Sequence, residues 1–331
     1  MSSTEIRAGG AHPGTQPAAL GPARGAPAGL HWSQTLPAGA ILAGLLLATA
    51  WPGSEEGFPL YLVLFAVGVG VVALARWRLA GSDVARQSVC DVAAILYTIL
   101  LAWQLATAHF AVLDPMLFPP PELTLRLFVK ELPDLLDCLR SSLILLVSGF
   151  GAALALSLPL GLYVGWHSRL HHAVSPFTKI LGTIPPVVFI PYIVHLLPSF
   201  RSASIVVIFI GAFWPIFINT VAGVFNVPKG LIDSGRVLNL STRKMLLRVV
   251  LPAALPSICT GASLALCFSF LLLTAAEVIG ANSGIGWYVH YFSDFADYHR
   301  VVVGIIFIGI VVVAITLATE RLERHLLRWR S

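Results

Sequence analysis

Charge is the scarcest property of this sequence. Only 11% of its 331 residues are Asp, Glu, Lys or Arg, where a soluble domain carries about 25%. A chain this poor in charge cannot coat itself for water, which excludes a soluble globular protein and leaves a polytopic membrane protein. Its four cysteines, Cys90, Cys138, Cys259 and Cys267, form no CxxC pair and no metal-ligand spacing. A redox pair or zinc site is therefore not expected, and the thiols read as packing residues. No GxxxxGK[ST] stretch occurs, so the chain has no loop to cradle nucleotide phosphates. No nucleophile–base set falls in a plausible site, and no catalytic residue, cofactor or metal is assigned. His167, His171 and His172 lie close together but read as a solvated loop. The net charge of +5 comes from residues scattered between apolar runs, so it does not argue for a nucleic-acid partner.

Long apolar runs fill the rest. A spanning helix needs about 20 apolar residues, and eight runs qualify or nearly do: 36–51, 59–77, 88–109, 141–165, 177–197, 203–225, 255–279 and 301–319. Residues 1–35, rich in Gly, Ala and Pro, read as a disordered tail. The first run is short, and Ala48-Thr49-Ala50 resembles a cleavage site. The long tail before it and the lack of a flanking basic cluster favour a retained helix. Pro185, Pro186 and Pro191 break the fifth run, as happens where helices pack on one another or line a cavity. Alternating loops set the orientation. With the N-terminus in the cytoplasm, 16 of the 21 Lys and Arg residues fall inside and five outside, a positive-inside signal with both termini cytoplasmic. Residues 110–140 read either as an amphipathic helix lying at the outer interface or, more simply, as a linker that caps the bundle. The fold class is thus an all-α polytopic membrane protein with about eight transmembrane helices in contact with lipid.

One cytoplasmic segment, 226–256, is too long and too basic for a simple turn. Asn226 can cap a helix and Pro228 suits a first turn. A short helix should run to about Leu238. Asn239 then suits a left-handed residue that ends it. Ser241 or Thr242 can cap a second helix that enters the membrane near Pro252. A helical hairpin of this kind offers a soluble partner something to grip.

Several pieces resemble one family. Asp233-Ser234-Gly235, followed by Arg236, Val237, Leu238 and Asn239, stands where binding-protein-dependent ABC importer permeases carry their EAA loop, and VVLPAALP (249–256) follows it. PPP (119–121), IPP (184–186), FWPIFINT (213–220), AEVIGANSGIGW (276–287) and ERLERHLLRWR (320–330) also match. Together they are similar to the nitrate/sulfonate/taurine branch. The resemblance implies a type I ABC importer-like permease domain over 88–331, with an EAA-like coupling loop at 226–250 and two extra N-terminal helices in 36–87. It implies three partners: a separate ATPase, a periplasmic or lipid-anchored solute-binding protein, and a second permease subunit, identical or different. Asp233, Ser234, Gly235, Arg236, Leu238, Asn239 and Arg243 would contact the ATPase. Pro185, Pro186, Trp214, Asn219, Thr220 and Glu277 are candidates for the translocation pathway. For Asn219 and Thr220 the competing reading is hydrogen bonding across helices, and for Glu277 an anchor of the loop 283–286. Gly161 and Gly165 read as a close-packing face. The expected cargo is a small anion such as nitrate, a sulfonate, taurine or bicarbonate, and the expected location is the bacterial inner membrane. The alternatives are an ion-gradient-driven transporter and a degenerate subunit that leans on a more typical permease.

Overall fold

The computed structural model describes residues 60–328, except Ala111, Pro115 and Thr183, together with the isolated positions Gly39 and Gly44. The expected tail and first helix, at 1–35 and 36–51, lie outside the described residues apart from those two glycines. Everything regular among the described residues is helical. Among the described residues, six helices are long and apolar enough to cross a membrane. They are α1 (Leu60–Leu79), α2 (Asp83–Gln104, continued by a π turn), α3 (Pro121–Trp166), α6 (Phe200–Phe225), α8 (Thr242–Gly280) and α10 (Tyr298–Leu326). Shorter helices α4 (Ser168–Leu181), α5 (Ile190–Leu196), α7 (Lys229–Val237) and α9 (Ile285–Asp294) connect them.

The fifth apolar run is not one helix. Ile184 and Pro185 each precede a proline, which disfavours α geometry, and two consecutive residues lack an N–H. The chain therefore leaves α4, makes a short turn over Pro186–Phe189 and re-enters a helix at α5. The pieces together still run the length of α6. The His171 ring stacks on Phe225 at one end, and Ile190 and Ile193 pack with Ala203 and Val207 near the other. His171 and His172 thus lie in the first turns of α4 rather than in a loop, and His167 is the single extended residue between α3 and α4.

Residues 121–140 are also not a separate interfacial helix. They are the first part of α3, whose 46 residues extend about 69 Å at 1.5 Å per residue, more than twice a hydrocarbon core of about 30 Å. Leu127, Phe128, Leu132 and Leu135 pack on Ile285, Tyr288, Val303 and Phe307 of α9 and α10. The leucine periodicity was real, but its apolar face meets protein, not lipid.

The core is α3 against α6 and α6 against α8. Small residues recur every fourth position on α3: Gly149, Ala153, Ser157, Gly161 and Gly165, all buried. A matching buried row on α6 runs Ser204, Ile208, Ala212, Ile216, Thr220, Val224. Ridges with this spacing interlock, and small residues let backbones approach where lipid offers no hydrophobic drive. A Cβ on Gly161 would stand 2.7 Å from Thr220, and one on Gly165 2.7 Å from Val224. α1 and α2 form a separate pair. The Tyr97 hydroxyl donates to the Ala66 carbonyl (2.9 Å), and Glu122 of α3 accepts from the amides of Tyr61 and Leu62 (3.3 and 2.8 Å), capping α1.

Candidate functional site

α6 and α8 are joined by the segment singled out in the sequence. Asn226 ends α6 rather than starting the next helix, its amide bonding to the Ala222 carbonyl. Pro228 takes the N-cap position of α7. Pro228 offers no side-chain cap, but its carbonyl accepts from the Leu231 amide (3.0 Å) and closes the first turn. α7 stops at Val237, and Asn239 adopts φ 54°. The Asn239 amide bonds to the Arg236 carbonyl (2.9 Å) and the Leu240 amide to the Gly235 carbonyl (3.2 Å). This paired closure is a Schellman motif, with Asn at the position glycine usually holds. α8 then begins at Thr242 and passes through a π turn at Leu246–Val250. Pro252 lacks the N–H that would bond the Arg248 carbonyl, which accounts for the loosened ladder at that place.

The hairpin has two faces. Ile232, Leu240 and Met245 pack with Val224, Val227, Leu162 and Trp166 at the ends of α3 and α6. Gly235 lies on this inner face, and a Cβ there would meet the Met245 Cε at 2.6 Å. On the other face Val237 is 86% exposed and Leu238 72%, with Leu231 also exposed. Asp233 and Arg236 pair across one turn at 3.1 Å, both well exposed. Ser234, Asn239 and Arg243 are exposed as well. Of the seven hairpin residues chosen from the sequence, Gly235 alone is buried. Leu231 and Val237, both exposed, were not among the residues chosen from the sequence, although two aliphatic residues on so charged a short helix were a usable signal.

The pathway candidates scatter. Pro185 and Pro186 sit at the α4–α5 break, where Val188 and Tyr192 are exposed. Trp214 is half-buried and stands edge-on to Phe213 and Phe217. Asn219 and Thr220 do not bond across helices. The Asn219 amide donates to the Pro215 carbonyl (2.8 Å) and the Thr220 hydroxyl to the Ile216 carbonyl (2.7 Å), each within α6. In an apolar bundle the carbonyl four residues back is the nearest free lone pair. Both side chains instead fill space over Gly261 and Gly161.

Glu277 is 1% exposed, and it accepts from the Ser142 hydroxyl (2.5 Å) and the Gly286 amide (2.8 Å). Ser142 Oγ in turn accepts from the Ile285 amide (2.9 Å). Gly284 holds φ 131°, and its Cα approaches the Glu277 carboxylate so closely that a side chain would collide with it. Beside this knot Glu131 pairs with Arg300 (3.1 Å) and accepts from the Tyr288 hydroxyl (3.3 Å). Burial and the Glu131 carboxylate push the Tyr288 hydroxyl above the usual phenol range, so it stays a donor. Among the described residues no three His, Cys, Asp or Glu side chains converge as a metal site would need.

Residues 157–331, more than half of the chain, match the binding-protein-dependent transport system inner membrane component family. The chain belongs to that family. The permease is similar to SsuC of Bacillus subtilis, named for aliphatic sulfonates transport, at 31% identity over 70% of this chain and 85% of the relative. It is similar to the bicarbonate transport system permease protein CmpB of Synechococcus elongatus, at 35% identity over 57% of this chain and 67% of the relative. Its fold is that of a chain from the MetNI methionine ABC transporter, solved in inward-facing conformations, with a TM-score of 0.51 at 21% identity over 60% of this chain and 98% of that one. The permease is therefore a multi-span inner-membrane protein of the ABC importer class, and an ion-gradient-driven transporter is set aside.

Proposed function

We propose that the permease couples to a separate ATPase through the hairpin α7–Asn239–α8 and admits a small anion to the cytoplasm. One observation carries this: α7 is clamped to the bundle by one face and offers Leu231, Val237, Leu238 and the Asp233–Arg236 pair on the other. A bundle gains nothing from exposed aliphatic residues on a charged helix, whereas a partner groove would cover them. Both α6 and α8 run straight out of the hairpin, so a push on it tilts two core helices together. ATP would act through the different fit of the ATPase to the two tilts. The motif reads Asp-Ser-Gly where the family's pattern reads Glu-Ala-Ala, and the geometry explains the last change. Met245 occupies the place of the alanine methyl, so the departure belongs to the hairpin's own packing and leaves the outward face able to couple.

The excess of basic residues in alternate loops supports a cytoplasmic position for this hairpin and both termini. A solute-binding protein would then meet the opposite end, near Glu277 and α9. A second permease subunit, against the exposed face of Pro185, Pro186, Val188 and Tyr192, would close a pathway that one chain leaves open. Trp214 stands on the helix beside that face. The relatives' cargoes point to a small anion: nitrate, a sulfonate, taurine or bicarbonate.

The test is co-purification of the full chain with the ATPase, wild type beside Val237→Asp/Leu238→Asp and beside Asp233→Arg/Arg236→Glu. The wild type should retain the ATPase, and both double variants should lose it or its substrate-stimulated hydrolysis at unchanged thermal stability. Equal retention and equal hydrolysis in all three would remove the hairpin as the coupling element.

A further inference from the structure

The helices α1 and α2 have no task in the coupling scheme, yet they enclose a groove of about 770 Å3 between them. Gly68, Val72, Val92 and Leu96 line its length, and Arg76 and Ser88 close one end. We propose that this groove binds one anionic phospholipid of the cytoplasmic leaflet, with an acyl chain along the apolar wall and the phosphate at Arg76.

Three observations point there. The first is length. From Leu64 to Arg76 the groove rises about 18 Å at 1.5 Å per residue, close to one leaflet of a hydrocarbon core about 30 Å thick. The second is charge. Arg76 and Arg78 stand in the last turn of α1, and the Arg86 guanidinium lies 5.5 Å over the Trp77 ring beside them. α1 carries no acid at all. Asp91 of α2 is roughly a third of a turn round from Val92 and Leu96 at 100° per residue. A cationic end on an apolar trough suits a phosphate head and a hydrocarbon tail, and does not suit another apolar helix. The third is the space at its floor. A side chain added at Gly68 would meet nothing within 4 Å, so the floor of the trough is unfilled by protein.

The test uses the full-length chain, extracted in mild detergent, washed, and analysed for retained lipid by mass spectrometry. The variants are Arg76→Gln and Gly68→Leu, with the thermal unfolding midpoint as a check on folding. Wild type should retain a stoichiometric anionic phospholipid. Arg76→Gln should lower its retention roughly fivefold, the worth of one basic residue at an anionic surface, and leave zwitterionic lipid unchanged. Gly68→Leu should fill the trough and remove bound lipid of either class. A photo-crosslinking residue in place of Val72 should capture lipid. The proposal is overturned by equal retention in all three chains, by retention indifferent to headgroup charge, or by a Val72 crosslink to a protein subunit. None of these outcomes depends on the ATPase, so the coupling reading stands or falls separately.

Discussion

The two ends of α8 are built on opposite plans. At Glu277 the helix ends in a buried polar knot in which the carboxylate, the Ser142 hydroxyl and the amides of Ile285 and Gly286 satisfy one another. At Thr242 it begins in a hairpin held by apolar contacts on one side only, with its charged and aliphatic outer face open. In a low-dielectric interior a satisfied polar knot fixes one arrangement, because every alternative strands a donor or acceptor. Apolar contact is less directional and tolerates small sliding. The difference teaches that the far end of α8 is held in one arrangement, while the hairpin end, on the coupling proposal, is the one a partner would move.

The hardest way to break that comparison is at the fixed point. Glu277→Ala strands the Ser142 hydroxyl and the Gly286 amide, and each unsatisfied buried group costs about 1–3 kcal/mol. The expected loss is on the order of 3 kcal/mol, read as a lower unfolding midpoint of the purified permease and reduced yield. Glu277→Gln keeps one acceptor for the amide and should recover much of it. An Ala variant as stable as the wild type would mean the knot fixes nothing.

How much of this was legible beforehand follows from what each residue's signal depends on. Asn239 could be read directly, since a left-handed cap is a local backbone requirement and few residues meet it. The break at Pro185–Pro186 is likewise written in covalent structure. Asn226 misled because the same residue type serves either side of a helix boundary, and only the length of α6 decides which. Residues 121–140 left two readings, an interfacial helix or a cap on the bundle, because an amphipathic face does not say whether it meets lipid or protein. Glu277 was visible as a buried charge, but its partner Ser142 is 135 residues away, and no local pattern points to it. Gly235 looked like a departure from the family's alanine. Its reason, Met245, became apparent only once the hairpin was folded.

A middling effect is expected at the turn that lets the hairpin close. Asn239→Val forces a β-branched residue into φ 54°, at a cost of roughly 1–2 kcal/mol. Asn239→Gly should be close to neutral. Limited trypsin digestion reads this best, because Arg236, Arg243 and Lys244 flank the turn. The Val variant should be cut there sooner than wild type, and the Gly variant at the wild-type rate. Equal cutting of Val and wild type would show that the turn is not under the constraint its backbone implies.

The smallest stability effect sharpens the comparison most. Asp233 and Arg236 form an exposed pair of a kind worth roughly 0–1 kcal/mol, so Asp233→Asn should leave the unfolding midpoint of the isolated permease where it was. The same change removes a charge from the face assigned to the ATPase, and there a groove that excludes water would make the loss count for more. The expected pattern is therefore a split: unaltered stability with weakened ATPase retention or stimulated hydrolysis. Glu277→Ala should give the reverse emphasis, losing stability first and coupling only as a consequence. If Asp233→Asn instead destabilised the isolated permease, the pair would be an internal clamp. The inner end of α8 would then be fixed as the outer end is, and the lever would have to be sought elsewhere in the bundle.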